Sequence, residues 1–226
     1  MKELKEYIIE GIFDIDNNID QAGDVAVVKN FIKKNYTVRN YTGDIDVNIK
    51  EWKTKDGKFI VDSQYADITV INKSIKSLTN GMFVWGIVGN FYCDYCTEIT
   101  SLEGAPEEVS WNFSCCGCNS LKSLKGAPTI SPSSFDCSEC DLLKNLEGSP
   151  KKTKSFNCKS CKSLKSLKGA PRELSNFDCS QCISLDSLTG SPKKVSDTFK
   201  CAKCAKMFDS EYIHRYCGKP KFIFTW

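Results

Sequence analysis

Histidine is nearly absent from this chain: of 226 residues, only His214 carries an imidazole. Nothing reads as a Ser–His–Asp arrangement, a P-loop or a dinucleotide-binding glycine motif. A cysteine nucleophile would need a base, and the lone imidazole stands near the C-terminal end. These gaps exclude the common catalytic arrangements and point to a non-enzymatic protein without a cofactor. No apolar run is long enough to cross a bilayer, and no secretory signal pattern opens the chain, so no membrane partner is expected. No one sign of charge dominates, since the formal net charge is +3.

Cysteine, by contrast, occurs 14 times. Without a secretory signal, a reducing compartment is expected, and a cytoplasmic location with it. Twelve of these residues follow a repeat of about 22 residues between Phe91 and Cys204. The repeat reads Phe-x-Cys-x-x-Cys-x-x-Leu-x-x-Leu-x-Gly-Ala-Pro. Its phenylalanines are Phe91, Phe113, Phe135, Phe156, Phe177 and Phe199; its prolines are Pro106, Pro128, Pro150, Pro171 and Pro192. So short a period means stacked units, each too small to bury its own apolar face. Phe177 and Cys179 are two apart and face inward from a short strand. Cys182 falls where the chain bends, so its side chain can bond the backbone of the neighbouring coil. Leu185 and Leu188 fill the opposite layer. Gly190 permits a tight turn and Pro192 fixes φ before the next unit.

The fold class expected is α+β: a parallel β-solenoid of about six repeats of 21–22 residues, capped at both ends. Residues 1–90 form the N-terminal cap of helices and a β-hairpin. Residues 91–204 form the solenoid, and 205–226 the C-terminal cap. Leu4 to Ile15 and Asp24 to Asn35 have helical periodicity, with Asp24 as N-cap of the second helix. Lys58 to Val61 and Ile68 to Ile71 read as strands joined by a polar turn. Asn72 to Gly81 echoes the repeat, with Asn72 in place of the ladder cysteine. Phe83 and Trp85 close that end. Tyr212, Tyr216 and a strand over Lys221 to Trp226 close the other, and a capped monomer is expected.

Repeated Cys-x-x-Cys pairs also suggest zinc. Each cysteine within the array has its own packing reason, so structural thiols are expected there. Two places depart from that pattern. Cys116 is an extra cysteine on the outer face and the best candidate for a reactive thiol. Near the C-terminus, Cys201, Cys204, His214 and Cys217 have the composition of a Cys₃His zinc site. The alternative to that site is a capping helix over Asp209 to Cys217 with His214 in solvent.

Alternation of side chains along the strands assigns a candidate binding face, the concave one of a curved array. It carries Tyr92, Asp94, Tyr95, Asn112, Ser114, Ser134, Asp136, Ser155, Asn157, Asn176, Asp178 and Thr198. Only the two tyrosines are of the type that anchors protein interfaces. Charge is uneven along the chain. Residues 91–150 hold three lysines and nine acids, a net of −6; residues 151–226 hold sixteen Lys and Arg and six acids, a net of +10. The basic half fits nucleic acid or an acidic protein, or simply a solvated edge.

Two resemblances add to this reading. Leu174-x-x-Phe177-x-Cys179-x-x-Cys182-x-x-Leu185 resembles the leucine-rich repeat, and the likeness covers residues 68–204. Within that group it looks most like the Phe-x-Cys-x-x-Cys, Ser-Leu-x-Gly-Ala-Pro repeats of tailed-phage and gut-bacterial proteins, which implies a parallel-sheet solenoid and no activity. The opening Met1-Lys2-Glu3-Leu4-Lys5-Glu6-Tyr7-Ile8-Ile9-Glu10, followed by Gly11, is similar to the capsid-targeting leader of T-even-like phage internal head proteins. Leu4, Lys5 and Gly11 depart from that pattern. The resemblance implies cleavage between Glu10 and Gly11, packaging in the virion interior, and delivery to the host cytoplasm to bind a host protein. Zinc with nucleic-acid binding is the alternative.

Overall fold

The structure, a computed structural model, describes residues 21–40, 43–44, 48–53, 57–63 and 65–225. Helix α1 (Gln21–Asn35) leads into strands β1 (Tyr36–Asn40), β2 (Gly43–Asp44), β3 (Asn48–Lys53), β4 (Phe59–Asp62), β5 (Asp67–Val70) and β6 (Phe83–Trp85). The coils then contribute β7 (Phe91–Tyr92), β8 (Asn112–Ser114), β9 (Ser134–Asp136), β10 (Ser155–Asn157), β11 (Glu173–Asp178) and β12 (Lys194–Lys200). Helix α2 (Ser210–Cys217) and β13 (Phe222–Phe224) finish the chain. The long sheet has the order β13-β12-β11-β10-β9-β8-β7-β5-β1-β2, and a second sheet has the order β3-β4-β6. From β5 to β13 every pairing in the long sheet is parallel. The molecule is therefore a parallel β-solenoid with caps, as its period implies.

One inward residue per coil sets the register. Phe91, Phe113, Phe135, Phe156, Phe177 and Phe199 are mutual partners in the ladder and are all buried. Their ring centroids are 5.1–5.9 Å apart, and the first four contacts are stacked. Ile68 continues the column on one side and Ile223 on the other. In the first five coils both cysteines are buried beside it, followed by two buried aliphatics, Ile99 and Leu102 in the first and a pair of leucines in the next four.

The turn between the cysteines is held in an unusual conformation. Its third residue has positive φ in all six coils: Tyr95, Gly117, Glu139, Ser160, Gln181 and Lys203, at 57–69°. Only one of these is glycine. In the first five of these coils, that residue's N–H donates to a carbonyl of the next coil at 2.7–2.8 Å. The left-handed conformation, which costs a non-glycine residue roughly 1–2 kcal/mol, aims the amide along the stack. Gly169 illustrates the other sharp corner: φ is +96°, and a Cβ would lie 2.4 Å from the Leu146 carbonyl oxygen.

Chain length varies in only one arc. In each coil, from Phe91 and Pro106 to Phe177 and Pro192, the proline stands 15 positions after the phenylalanine, whereas the next Phe follows the proline by six or seven positions. Where a short return meets a long one, the β11–β12 register shifts between Leu174 and Asn176.

The caps differ from expectation in detail. Helix α1 begins at Gln21, so Asp24 lies in its first turn and is not the N-cap. Its core-facing side is the expected one, with Val28 and Ile32 buried. The strands near 58–61 and 68–71 exist but do not form a hairpin. β4 pairs with β3 and β6, and β5 with β1 and β7. Ile75 and Leu78 are buried like Ile99 and Leu102 of the next coil, and Asn72, three residues before Ile75 as Cys96 is before Ile99, donates to Asn35 Oδ1 at 2.7 Å. Trp85 does seal the first coil, 6.2 Å from the Phe91 ring. At the other end Asp209 caps α2 by accepting from the Tyr212 N–H. Phe208, Ile213 and Cys217 are buried there, whereas Tyr216 is exposed. The expected helix over 4–15 lies outside the described residues.

Replacing Phe135 by Ala should lower unfolding free energy by about 3–5 kcal/mol in urea titrations, and Leu there should lower it less. A loss below about 1 kcal/mol for both would show that the aromatic column is not the core. Glu139→Gly, which relieves the left-handed strain, should raise stability by about 0.5–1 kcal/mol.

Candidate functional site

The outer face of the long sheet carries the expected residues in two rows. In the row before the phenylalanines, Asn90 donates its N–H and side-chain amide to Asp67 Oδ1. Asn112 repeats that pair on Asn90 Oδ1, and Ser134 donates to Asn112 Oδ1 at 2.7 Å. In the row after them, Tyr92, Ser114, Asp136, Asn157 and Asp178 are successive partners. Asp136, Asn157 and Asp178 each accept the N–H two residues on, closing the strand into the cysteine turn. Asp94 accepts from the Ser114 hydroxyl and the Cys116 N–H. Asn157 donates to Asp136 Oδ2 at 3.0 Å. These side chains are half-buried, and their hydrogen bonds join coil to coil.

Tyr95 differs from the rest. It is 55% exposed, has φ +57°, and its ring lies across Gly117, where a Cβ would stand 2.3 Å from Tyr95 Cδ1. Gly117 is thus the one glycine among the six turn positions because the neighbouring coil's tyrosine occupies the space. Tyr92 stands half-buried on the strand, its phenol raised by burial and then by Asp67 and Asp94.

Among the described residues, four exposed aromatics were not anticipated: Tyr65, Trp111, Phe222 and Phe224. Trp111 lies one residue ahead of β8, outside the alternation that sorts the strand. Phe222 and Phe224 flank the inward Ile223, so strand alternation alone could have found them. They border a shallow depression of about 610 Å³ that also includes Asn157, Asp178 and Lys200.

The thiols form two columns. The second cysteine of each coil donates S–H to the carbonyl of the first cysteine one coil back, at 3.1–3.3 Å from Cys118 to Cys204. This is the bond to a neighbouring backbone expected of Cys182. Burial pushes Cys93, Cys115, Cys137, Cys158 and Cys179 up from the ordinary thiol range.

Cys116 is half-buried and accepts from the Ser138 hydroxyl at 3.3 Å. Burial raises it too, so it is not an activated thiolate. The proposed zinc ligands do not converge. Cys204 points back at Cys179, while α2 buries Cys217 and leaves His214 in solvent. Among the described residues, no three His, Cys, Asp or Glu side chains are placed to hold a metal ion. Among them, too, no helix is long and apolar enough to cross a membrane.

Together these features define a capped parallel β-solenoid with hydrogen-bonded polar and thiol columns. No family model, curated protein or solved structure matches the chain.

The buried thiols set an alkaline limit. In the unfolded chain they ionise near pH 8.5, whereas in the fold they stay protonated. Their stabilising effect is complete below that pH and declines as pH rises toward the folded values. The slope should reach up to about 1.4 kcal/mol per pH unit for each such thiol. Urea titrations from pH 7 to 10 should show this decline, and it should be shallower in a Cys137→Val variant. For Cys116, the alkylation rate should still be climbing with pH where a free cysteine has levelled off; an early plateau would contradict its environment.

Proposed function

We propose that this chain is a non-catalytic protein-recognition module, with its contact centred on Tyr95 and Tyr92. The observation that carries this reading is Tyr95 itself: exposed, yet seated on Gly117 of the next coil. A ring fixed before binding loses little entropy on association, and aromatic anchors supply much of the energy at protein interfaces. The polar rows beside it, from Asp94 to Asn112, offer a hydrogen-bonding rim. The surrounding acidic half, with its net of −6 over residues 91–150, favours a partner carrying basic groups.

In this reading the coils are leucine-rich-repeat-like, and the protein is of phage origin. Residues 1–10 serve as a capsid-targeting leader, and the partner is a host protein met after delivery. The sequence likeness at Met1 to Gly11 supports that part; those residues lie outside the described ones.

Two measurements test it. Peptide mass spectrometry on virions should find a peptide beginning at Gly11; only intact chains in infected cells, with none in virions, would remove the leader. Pull-downs from host lysate should recover a partner with the wild-type chain and lose it, by at least about tenfold, with Tyr92→Ala/Tyr95→Ala. Equal recovery by both would sink the tyrosine-centred site.

A further inference from the structure

The arc that follows each proline carries the charge gradient on a single corner. Its first residue is Glu107, Thr129, Lys151, Arg172 and Lys193 in successive coils. Main-chain bonds align three of these neighbours: Thr129 N–H to Glu107 O, Lys151 N–H to Thr129 O, and Lys193 N–H to Arg172 O, at 2.8–2.9 Å. The second position reads Glu108, Ile130, Lys152, Glu173 and Lys194, and Lys154 adds a third column. Six exposed cations from three adjacent coils thereby crowd this corner, and five of them, Lys151, Lys152, Lys154, Arg172 and Lys193, line a shallow groove of about 690 Å³ together with Ile130, Pro132, Thr153 and Glu173.

These cations differ from the lysines on the leucine side of the rod. There Lys125, Lys162 and Lys168 each meet an acid of the preceding coil, at 2.7–2.9 Å. Among the described residues, none of the six corner cations has an acid within 4.0 Å. Coils stack at roughly 5 Å, so the six repel one another and attract a dense line of negative charge.

The main chain of this corner narrows the kind of line. The N–H groups of Lys151, Lys193 and Lys194 already donate to neighbouring coils. An acidic peptide would find few free backbone donors, whereas a phosphodiester backbone needs charge alone. Trp111 supplies the second requirement of a single strand. It stands on the same arc, 53% exposed, its ring against Gly89 and its carbonyl bonded by the N–H of Ser133. Glu107 and Glu108 share its arc and the cations begin two coils on, at Lys151, so a strand running from the groove along the stack reaches this exposed indole as a platform on which a base can stack.

We propose that this corner binds single-stranded nucleic acid, with phosphates on Lys151, Lys152, Lys154, Arg172, Lys193 and Lys194 and a base on Trp111. The site lies apart from Tyr95 and stands or falls independently of the protein-recognition reading.

The test is fluorescence anisotropy of labelled oligothymidine with the full chain, between 50 and 200 mM salt. Four to six phosphate contacts give a log–log salt slope of about −3 to −4. Lys151→Glu/Arg172→Glu/Lys193→Glu should weaken binding more than about tenfold. Lys144→Glu/Lys159→Glu/Lys165→Glu, with the same net charge but off the corner, should weaken it far less. Trp111→Ala should weaken oligothymidine about fivefold or more while leaving heparin binding unchanged. All substituted side chains are exposed, and circular dichroism melts check that each variant folds. Absence of binding at 50 mM salt, or equal losses in the two charge-reversed triples, would overturn the proposal. So would poly-glutamate binding as tightly as oligothymidine with no effect of Trp111→Ala, which would assign the groove to an acidic protein.

Discussion

Adjacent coils share very little regular backbone pairing: β7 is two residues long, and β8, β9 and β10 are three each. Beyond these short strands the register is held by stacked side chains and by main-chain bonds at the turns. The stacked phenylalanines provide area, and the thiols and left-handed turn amides provide direction. A slip by one residue would turn every phenylalanine outward and every polar row inward. The rest of the structure follows from that one alignment, including the position of each surface residue.

That dependence explains why the outer face is less of a free recognition surface than its polarity suggests. Asn112, Asp136 and Asp178 close turns or bond the coil beside them. They hold the sheet together and, being half-buried, leave part of their surface to a ligand. The more exposed groups are Tyr95, seated on Gly117, Trp111, against Gly89, and the cations that follow Pro150, Pro171 and Pro192.

The solenoid was legible because its constraint repeats. Phe, Cys, Cys, Leu, Leu, Gly and Pro recur in step, and even the bond from Cys182 to a neighbouring carbonyl follows from its place in the period. The caps lack that redundancy. Asp24 looked like a helix start, but local signals do not mark a helix that begins three residues earlier. The strands at 59–62 and 67–70 looked like a hairpin because nothing local says that two sheets divide there. The zinc quartet matched in composition, yet α2 places His214 and Cys217 on opposite sides of the core boundary. Trp111 escaped notice because it sits outside the alternation, and a tryptophan beside a turn carries no periodic signal.

The constant 15-position step from Phe to Pro and the elastic return arc divide the coil into two kinds of chain. The first is a template: its length is fixed by phenylalanine, thiol, leucine and glycine contacts on both sides. The second is a margin, where one residue more or less is absorbed as a bulge without disturbing the columns. Coils could therefore be duplicated, removed or shuffled as cassettes, the chain growing or shortening by whole rungs. The lettering on the margin, acidic in one coil and basic in another, could be rewritten rung by rung, much as type is reset in a fixed frame.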